Sequence, residues 1–229
     1  MGTKLHYAIG QFVVVFFAAE LVTCGFEWFF HRYILHSILL NPLRKTAIEH
    51  RRHHRLTPGR DFPITKPEQH EAEAFPWWAL SAFYLVFAPA IVGVQMLFPS
   101  WPILLGGFTA VTWSMCFYEV AHHCQHRPLA WWQRFFRLPL LGPAIRAYYL
   151  DHLMHHIHVK SNEAISGFFC GFPLADYMLG THHRPASLQP DGTCSNNQDL
   201  RIGRPVPLVR WLDTLASHRE ARSKLRERC

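Results

Sequence analysis

From Phe75 to Tyr118 the chain carries no charged side chain, and that run constrains the fold more than any other feature. An apolar helix of about 20 residues crosses the hydrocarbon core of a bilayer. The Pro-Ser-Trp-Pro stretch at 99–102 breaks the run, so it reads as a hairpin of two membrane-crossing helices. Trp77, Trp78 and Trp101 lie near the expected borders, where aromatic rings favour the headgroup zone. Upstream, Tyr7 to Phe30 is apolar apart from Glu20 and Glu27, and a helix of that length reaches about 36 Å. With Lys4 its only basic head and no small-residue cleavage site before EWFFHRYILH, this segment reads as a retained span rather than a signal peptide. The expected spans cover 7–30, 75–98 and 102–120.

Charge sets the expected orientation. The segment from His31 to Ala74 holds Arg32, Arg44, Lys45, Arg51, Arg52, Arg55, Arg60 and Lys66, whereas the hairpin tip has no charge. The positive-inside bias puts that segment, and everything from His122 onward, on the cytoplasmic side. The net charge of +7 belongs to residues flanking apolar segments, which fits anionic lipid headgroups and argues against nucleic acid. Leu138–Leu150 and Gly167–Gly180 are too short to span and are interrupted by Pro139, Pro143, Arg146, Pro173 and Asp176, so they read as interfacial or re-entrant. Leu208, Trp211, Leu212 and Leu215 recur at helical spacing among Arg210, Arg219, Arg222 and Lys224. Such a basic amphipathic helix either lies on a membrane surface or packs on the domain. The expected organisation is a membrane-embedded domain over 1–183, then a polar loop and this helix over 184–229. The fold class is all-α: a multi-span helical membrane protein with a cytoplasmic histidine-rich helical cap.

The chain has 17 histidines, far more than structural needs explain for a side chain that titrates near neutrality and binds metals. Ten fall in four clusters: His31 and His36; His50, His53 and His54; His122 and His126; His152, His155 and His156. On a helix, residues three or four apart share a face, so the HxxHH clusters and His122/His126 can each converge on one point. His31 and His36 are five apart, about 140° around an ideal helix. That pair needs either a local break or two different metals, and two metals answer the difficulty naturally. Ten imidazoles exceed what one ion takes, while two six-coordinate ions would leave about two positions open, the mark of a catalytic site. Imidazole suits zinc, copper, iron or nickel alike.

Glu27 and Glu119 each stand three or four residues before a cluster histidine. Each reads either as an acceptor orienting an imidazole through its second nitrogen or as a snorkelling or arginine-paired carboxylate. His123, beside His122, is placed outside the ligand set with His6, His70, His158, His182, His183 and His218, which show no partner pattern. The six cysteines have no paired spacing and read as reduced and non-ligating.

The motif order H-x4-H, H-x2-HH, H-x3-H, H-x2-HH resembles the fatty acid hydroxylase superfamily, which includes sterol desaturases, sphingolipid hydroxylases and carotenoid hydroxylases. Glu27 and Arg32 within the first motif, Tyr118 and Glu119 before His122, Pro128 after His126, and the later run with Gly167, Asp176, Gly180 and Thr181 extend the likeness over about residues 20–183. Glu119 departs from the aspartate common in the nearest branch. The resemblance implies an all-histidine centre of two iron ions, with zinc a substitute in purified samples, that uses dioxygen and two electrons to hydroxylate or desaturate a lipid. It carries over His31, His36, His50, His53, His54, His122, His126, His152, His155 and His156 as ligands. Glu27, Glu119, His123 and Asp176 become supporting residues behind them. The favoured substrate is a fatty acyl or sphingolipid-like chain, with sterol or carotenoid as alternatives. No CxxCH, GxGxxG or HPGG-like motif occurs, so a separate cytochrome or ferredoxin-type donor is implied.

Two other classes compete. A membrane metal-binding or transport protein would place ionisable ligands within its spans near the midplane, whereas these clusters follow the spans. A haem-binding anchor needs two axial histidines and leaves eight unexplained.

Overall fold

The computed structural model describes residues 2–37, 41–58, 62–73, 75–158, 173–184 and 201–226. Its helices are α1 (Gly2–Phe29), α2 (Arg44–Leu56), α3 (Pro67–Glu71), α4 (Ala79–Leu97), α5 (Ile103–Gln125), α6 (Leu129–Phe136), α7 (Gly142–His158), α8 (Leu174–Leu179) and α9 (Pro207–Arg226). A π-helical segment, Phe30–His36, continues α1, and a 3₁₀ turn, Asn41–Leu43, precedes α2. The fold is helical as expected. It departs from all-α only in a two-residue antiparallel pairing of β1 (His183–Arg184) with β2 (Arg201–Ile202) among the described residues. The GFF run with Gly167, residues 185–200, and Cys170, Cys194 and Cys229 lie outside the described residues.

Among the described residues, three helices are long and apolar enough to cross a membrane: Lys4–His36, Ala79–Leu97 and Ile103–Gln125. The first and third run past the expected ends at 30 and 120, because backbone hydrogen bonding continues into the polar residues that hydropathy alone would exclude. The second begins late, since the residues after Pro76 form a turn before Ala79.

The chain forms two compact units. The first comprises residues 1–26 and 75–121. Its core is small: Val15, Ala110 and Val111 are buried while Phe17, Leu85, Val86, Met96, Leu97 and Leu105 are exposed. A Cβ on Gly106 would collide with the Val15 side chain, so this glycine is what lets α5 approach α1 closely. Its polar residues satisfy one another: the Ser114 hydroxyl donates to Glu20 at 3.0 Å, and Thr23 Oγ1 lies 2.7 Å from Ser114 Oγ.

The second unit comprises residues 27–74 and 122–229, and so gathers all four histidine clusters with α9. One apolar core joins Trp28, Tyr33, Ala175, Val209 and Ala216; another joins Phe62, Trp132, Tyr149 and Leu153. Burying each such large side chain contributes about 1.5–3 kcal/mol. The Leu138–Leu150 stretch becomes a turn and the first half of α7, with Leu140 and Leu141 exposed and Tyr149 and Leu150 buried. Of the four apolar residues expected to form one stripe on α9, Leu212 packs on the core beside Val209 and Ala216, while Leu208, Trp211 and Leu215 are exposed. The helix is therefore packed on its unit. Asp213 clamps it: Arg32 Nε and Nη2 donate to the two carboxylate oxygens at 3.0 and 2.9 Å, and the Tyr33 hydroxyl donates to Oδ1 at 2.9 Å. Helix α8 ends on Gly180 at φ +69°, where a Cβ would strike the Arg204 carbonyl. Only glycine fits that left-handed turn without strain.

Candidate metal centre

The spacing of His31 and His36 poses a local problem that the backbone solves. Over Phe30–His36 the helix is π rather than α, so hydrogen bonds run from i to i+5 and residues five apart stack on one face. The two rings stack at 5.1 Å between centroids. The local break, not a separate metal for each, is the answer to that spacing.

Nine of the ten cluster histidines fall into two groups of potential ligand atoms: His31, His36, His50, His54 and His155 in one, His53, His122, His126 and His156 in the other. His152 joins the second, its Nε2 3.2 Å from that of His126. The sorting follows helix geometry. His50/His54, His122/His126 and His152/His156 are i,i+4 pairs and each stays together. The remaining histidine of each HxxHH motif crosses over, so that His53 of α2 joins the group of α5 and α7, and His155 of α7 joins the group of α2. The two groups adjoin, with the His54 and His156 rings 4.1 Å apart.

The close contacts are between Nε2 atoms. His50 Nε2 stands 3.0 Å from that of His31, 3.1 Å from that of His36 and 2.9 Å from that of His54. His36 and His155 meet at 3.1 Å. In the second group His126 Nε2 stands 3.1 Å from that of His53 and 3.3 Å from that of His122. A ring nitrogen has one proton or one lone pair, so it cannot satisfy three such neighbours by hydrogen bonding. The separations do match those between adjacent ligands on one ion, about 3.0 Å (octahedral) to 3.4 Å (tetrahedral) for metal–nitrogen bonds near 2.1 Å. The residues present therefore fit a metal.

Two protonation states follow from the acceptors behind the rings. His126 Nδ1 lies 2.7 Å from the Phe62 carbonyl and His156 Nδ1 lies 3.0 Å from the Thr57 carbonyl. A carbonyl only accepts, so each Nδ1 carries the proton and each Nε2 presents a lone pair to the centre. His156 Nε2, with Nδ1 of His53, His54 and His152, is buried without a hydrogen-bond partner among the described residues. Burial, reinforced by repulsion from neighbouring imidazoles, holds His50, His53, His54, His152 and His156 well below the ordinary histidine range. Burial takes His126 down to about 4, against the opposing hydrogen bond to Phe62. Near neutrality these rings are uncharged, the form that binds metals.

The expected supporting residues lie in different settings. Glu27 is half-buried on α1. Glu119 Oε1 accepts the Phe75 backbone N–H at 3.1 Å within the first unit. Asp176 is buried and accepts the Thr181 hydroxyl at 2.6 Å; Thr181 in turn accepts the Trp28 indole N–H at 2.9 Å. His123 turns away from the ten toward Glu73, 3.1 Å from its Nδ1. The two carbonyls that orient His126 and His156 escaped sequence reasoning, because any residue supplies a carbonyl. His70 and Glu73, which join His123 in a third group, also escaped, although their i,i+3 spacing was a readable signal. Among the described residues, no disulfide joins Cys24, Cys116 or Cys124.

Comparison of the chain with known protein families, curated proteins and solved structures finds no match. The geometry itself offers two adjoining groups of largely buried imidazoles that could hold metal.

Proposed function

We propose that the chain is a membrane-bound di-iron oxygenase that hydroxylates or desaturates a lipid, most simply a fatty acyl or sphingolipid-like chain. The observation that carries the reading is the pair of adjoining all-imidazole groups, each with Nε2 atoms at ligand-to-ligand spacing. Iron, if bound there, would supply activation of dioxygen with two electrons and two protons: in hydroxylation one oxygen atom enters a C–H bond and the other leaves as water, and in desaturation two hydrogens leave the chain and both oxygen atoms become water. His31, His36, His50, His54 and His155 would hold one ion, and His53, His122, His126, His152 and His156 the other.

The chain's own residues do the rest. The ten imidazoles are neutral ligands and, unlike carboxylates, would leave the positive charge of the ions they hold uncompensated. The carbonyls of Phe62 and Thr57 fix two rings in the metal-binding tautomer. Burial of the ligands keeps bulk water from the centre and strengthens electrostatic interactions within it. The apolar helices support a substrate that enters from the bilayer, and the basic segments support a cytoplasmic site whose exposed arginines dock an acidic electron donor. A sterol or carotenoid substrate would use the same centre.

The test is metal and product. Detergent-purified protein loaded anaerobically with iron should retain close to two ions per chain, and His155→Ala should lose iron clearly. Expression in a host with a matched donor should add an oxygen atom or a double bond to a membrane lipid. One ion per chain, or retention unaffected by the substitution, would refute the di-iron reading. Two tightly held ions with no lipid change across donors would refute the oxygenase and favour metal handling.

A further inference from the structure

Outside the ten-histidine centre, His70, Glu73 and His123 bring three potential ligand atoms within 4.8 Å of one another. His70 lies on α3 and Glu73 just beyond it; His123 lies near the end of α5. The Glu73 carboxylate is only 8% exposed, an uncommon state for a glutamate. It faces His123 Nδ1 at 3.1 and 3.2 Å and His70 Nδ1 at 3.7 Å. The imidazoles are 42% and 54% exposed. A sunken carboxylate flanked by two half-exposed imidazoles thus leaves one side open to water.

We infer that His70, Glu73 and His123 form a third, solvent-facing metal site that takes a divalent transition-metal ion, zinc by its chemistry. Two imidazoles and one carboxylate form a three-ligand zinc set with a position left for water. Two nitrogen donors among three disfavour calcium and magnesium, which take oxygen ligands. Exchange with the medium separates this site from the buried centre.

The surroundings make the inference sharper. Arg127 Nη2 lies 2.8 Å from His123 Nε2, and arginine only donates. Without metal, His123 therefore carries its proton on Nδ1 and donates it to Glu73. A cation binding through Nδ1 needs the other tautomer, in which the ring's single proton has moved to Nε2 and faces the Arg127 guanidinium. Arg127 is exposed, so it swings away, and it opposes binding both by its hydrogen bond and by its charge.

Binding would have a structural effect. The segment before α3 already reaches the end of α5, with the Ile64 N–H donating to the His126 carbonyl at 3.1 Å. An ion bridging His70, Glu73 and His123 would pin α3 to the same helix end that carries His122 and His126.

The experiment is a cobalt titration of the full-length protein in detergent, with its tightly held metal in place and exchangeable ions removed by EDTA. Visible absorption and metal per chain are followed together. One exchangeable cobalt per chain is expected, displaced by zinc, at least about tenfold weaker in His70→Ala and in Glu73→Gln, and severalfold tighter in Arg127→Gln. Misfolding cannot mimic the gain in Arg127→Gln. No exchangeable equivalent, or one indifferent to all three substitutions, overturns the inference. The tightly held metal is counted in the same samples, so loss of the central reading and loss of this one are distinguishable.

Discussion

The two units of this chain treat polarity in opposite ways. The first exposes Phe17, Leu85, Met96 and Leu105, and it hides one small hydroxyl–carboxylate cluster around Glu20. The second buries most of its ten cluster histidines, together with Asp151, Asp176, Thr57 and Thr181. Apolar side chains on an outer surface are inexpensive only where the surroundings are themselves apolar. A dense group of buried imidazoles, in turn, is costly unless something satisfies its lone pairs. The first unit thus has helices apolar enough to cross a membrane, and the second has histidine groups that could hold metal.

The sharpest way to break this comparison is to remove a ligand. His53→Ala should lower iron retention more than tenfold, read as metal per chain after gel filtration, while Glu20→Gln in the first unit leaves retention unchanged. Equal effects would mean that the contrast is wrong.

Acid should act on the second unit next. Its depressed histidines bind protons less readily folded than unfolded, so stability of the metal-free protein falls as pH drops below the unfolded value of about 6.5. For His126 the loss continues down to about 4, and that residue alone accounts for about 3 kcal/mol over the window. Chelator-treated protein should melt at progressively lower temperature from pH 7 to pH 4. Metal-loaded protein should hold its melting temperature until the ions are released.

Asp213→Asn tests whether α9 steadies the centre. It removes the charge that Arg32 and Tyr33 share beside the π segment, at a cost of about 1–3 kcal/mol. Faster metal loss should accompany it, partly restored by Asp213→Glu. If melting drops while the rate of metal loss does not move, α9 supports the fold alone. The smallest effect belongs to Glu20→Leu, which deprives the Ser114 hydroxyl of its carboxylate partner and should cost roughly 1 kcal/mol without altering metal content.

Much of this was legible in the sequence. The apolar helices were, because hydropathy over 20 residues is a local property; the ends were not, since α5 runs through YEVAHHCQ on backbone hydrogen bonds that hydropathy does not register. The i,i+4 pairs were legible as shared faces. The surroundings of His123 were not legible: the sequence set it among the residues supporting the ten, and its ring faces Glu73, 50 positions away. The role of Asp213 was not legible, because an acid on a basic helix has no signature until Arg32, distant in sequence, meets it.

By itself, then, the sequence determined three helices apolar enough to cross a membrane and ten histidines grouped at helical spacing, since both follow from composition and period within one segment. The tertiary structure alone decided how those histidines divide. Consecutive His53 and His54 point into different groups, as do His155 and His156, because neighbouring side chains on a helix diverge by about 100° and each must find partners on other elements. The same closure turned a five-residue spacing into a single face through a π-helical segment. It also brought the carbonyls of Phe62 and Thr57 behind two rings, contacts whose partners are too far apart in the chain for any local pattern to encode.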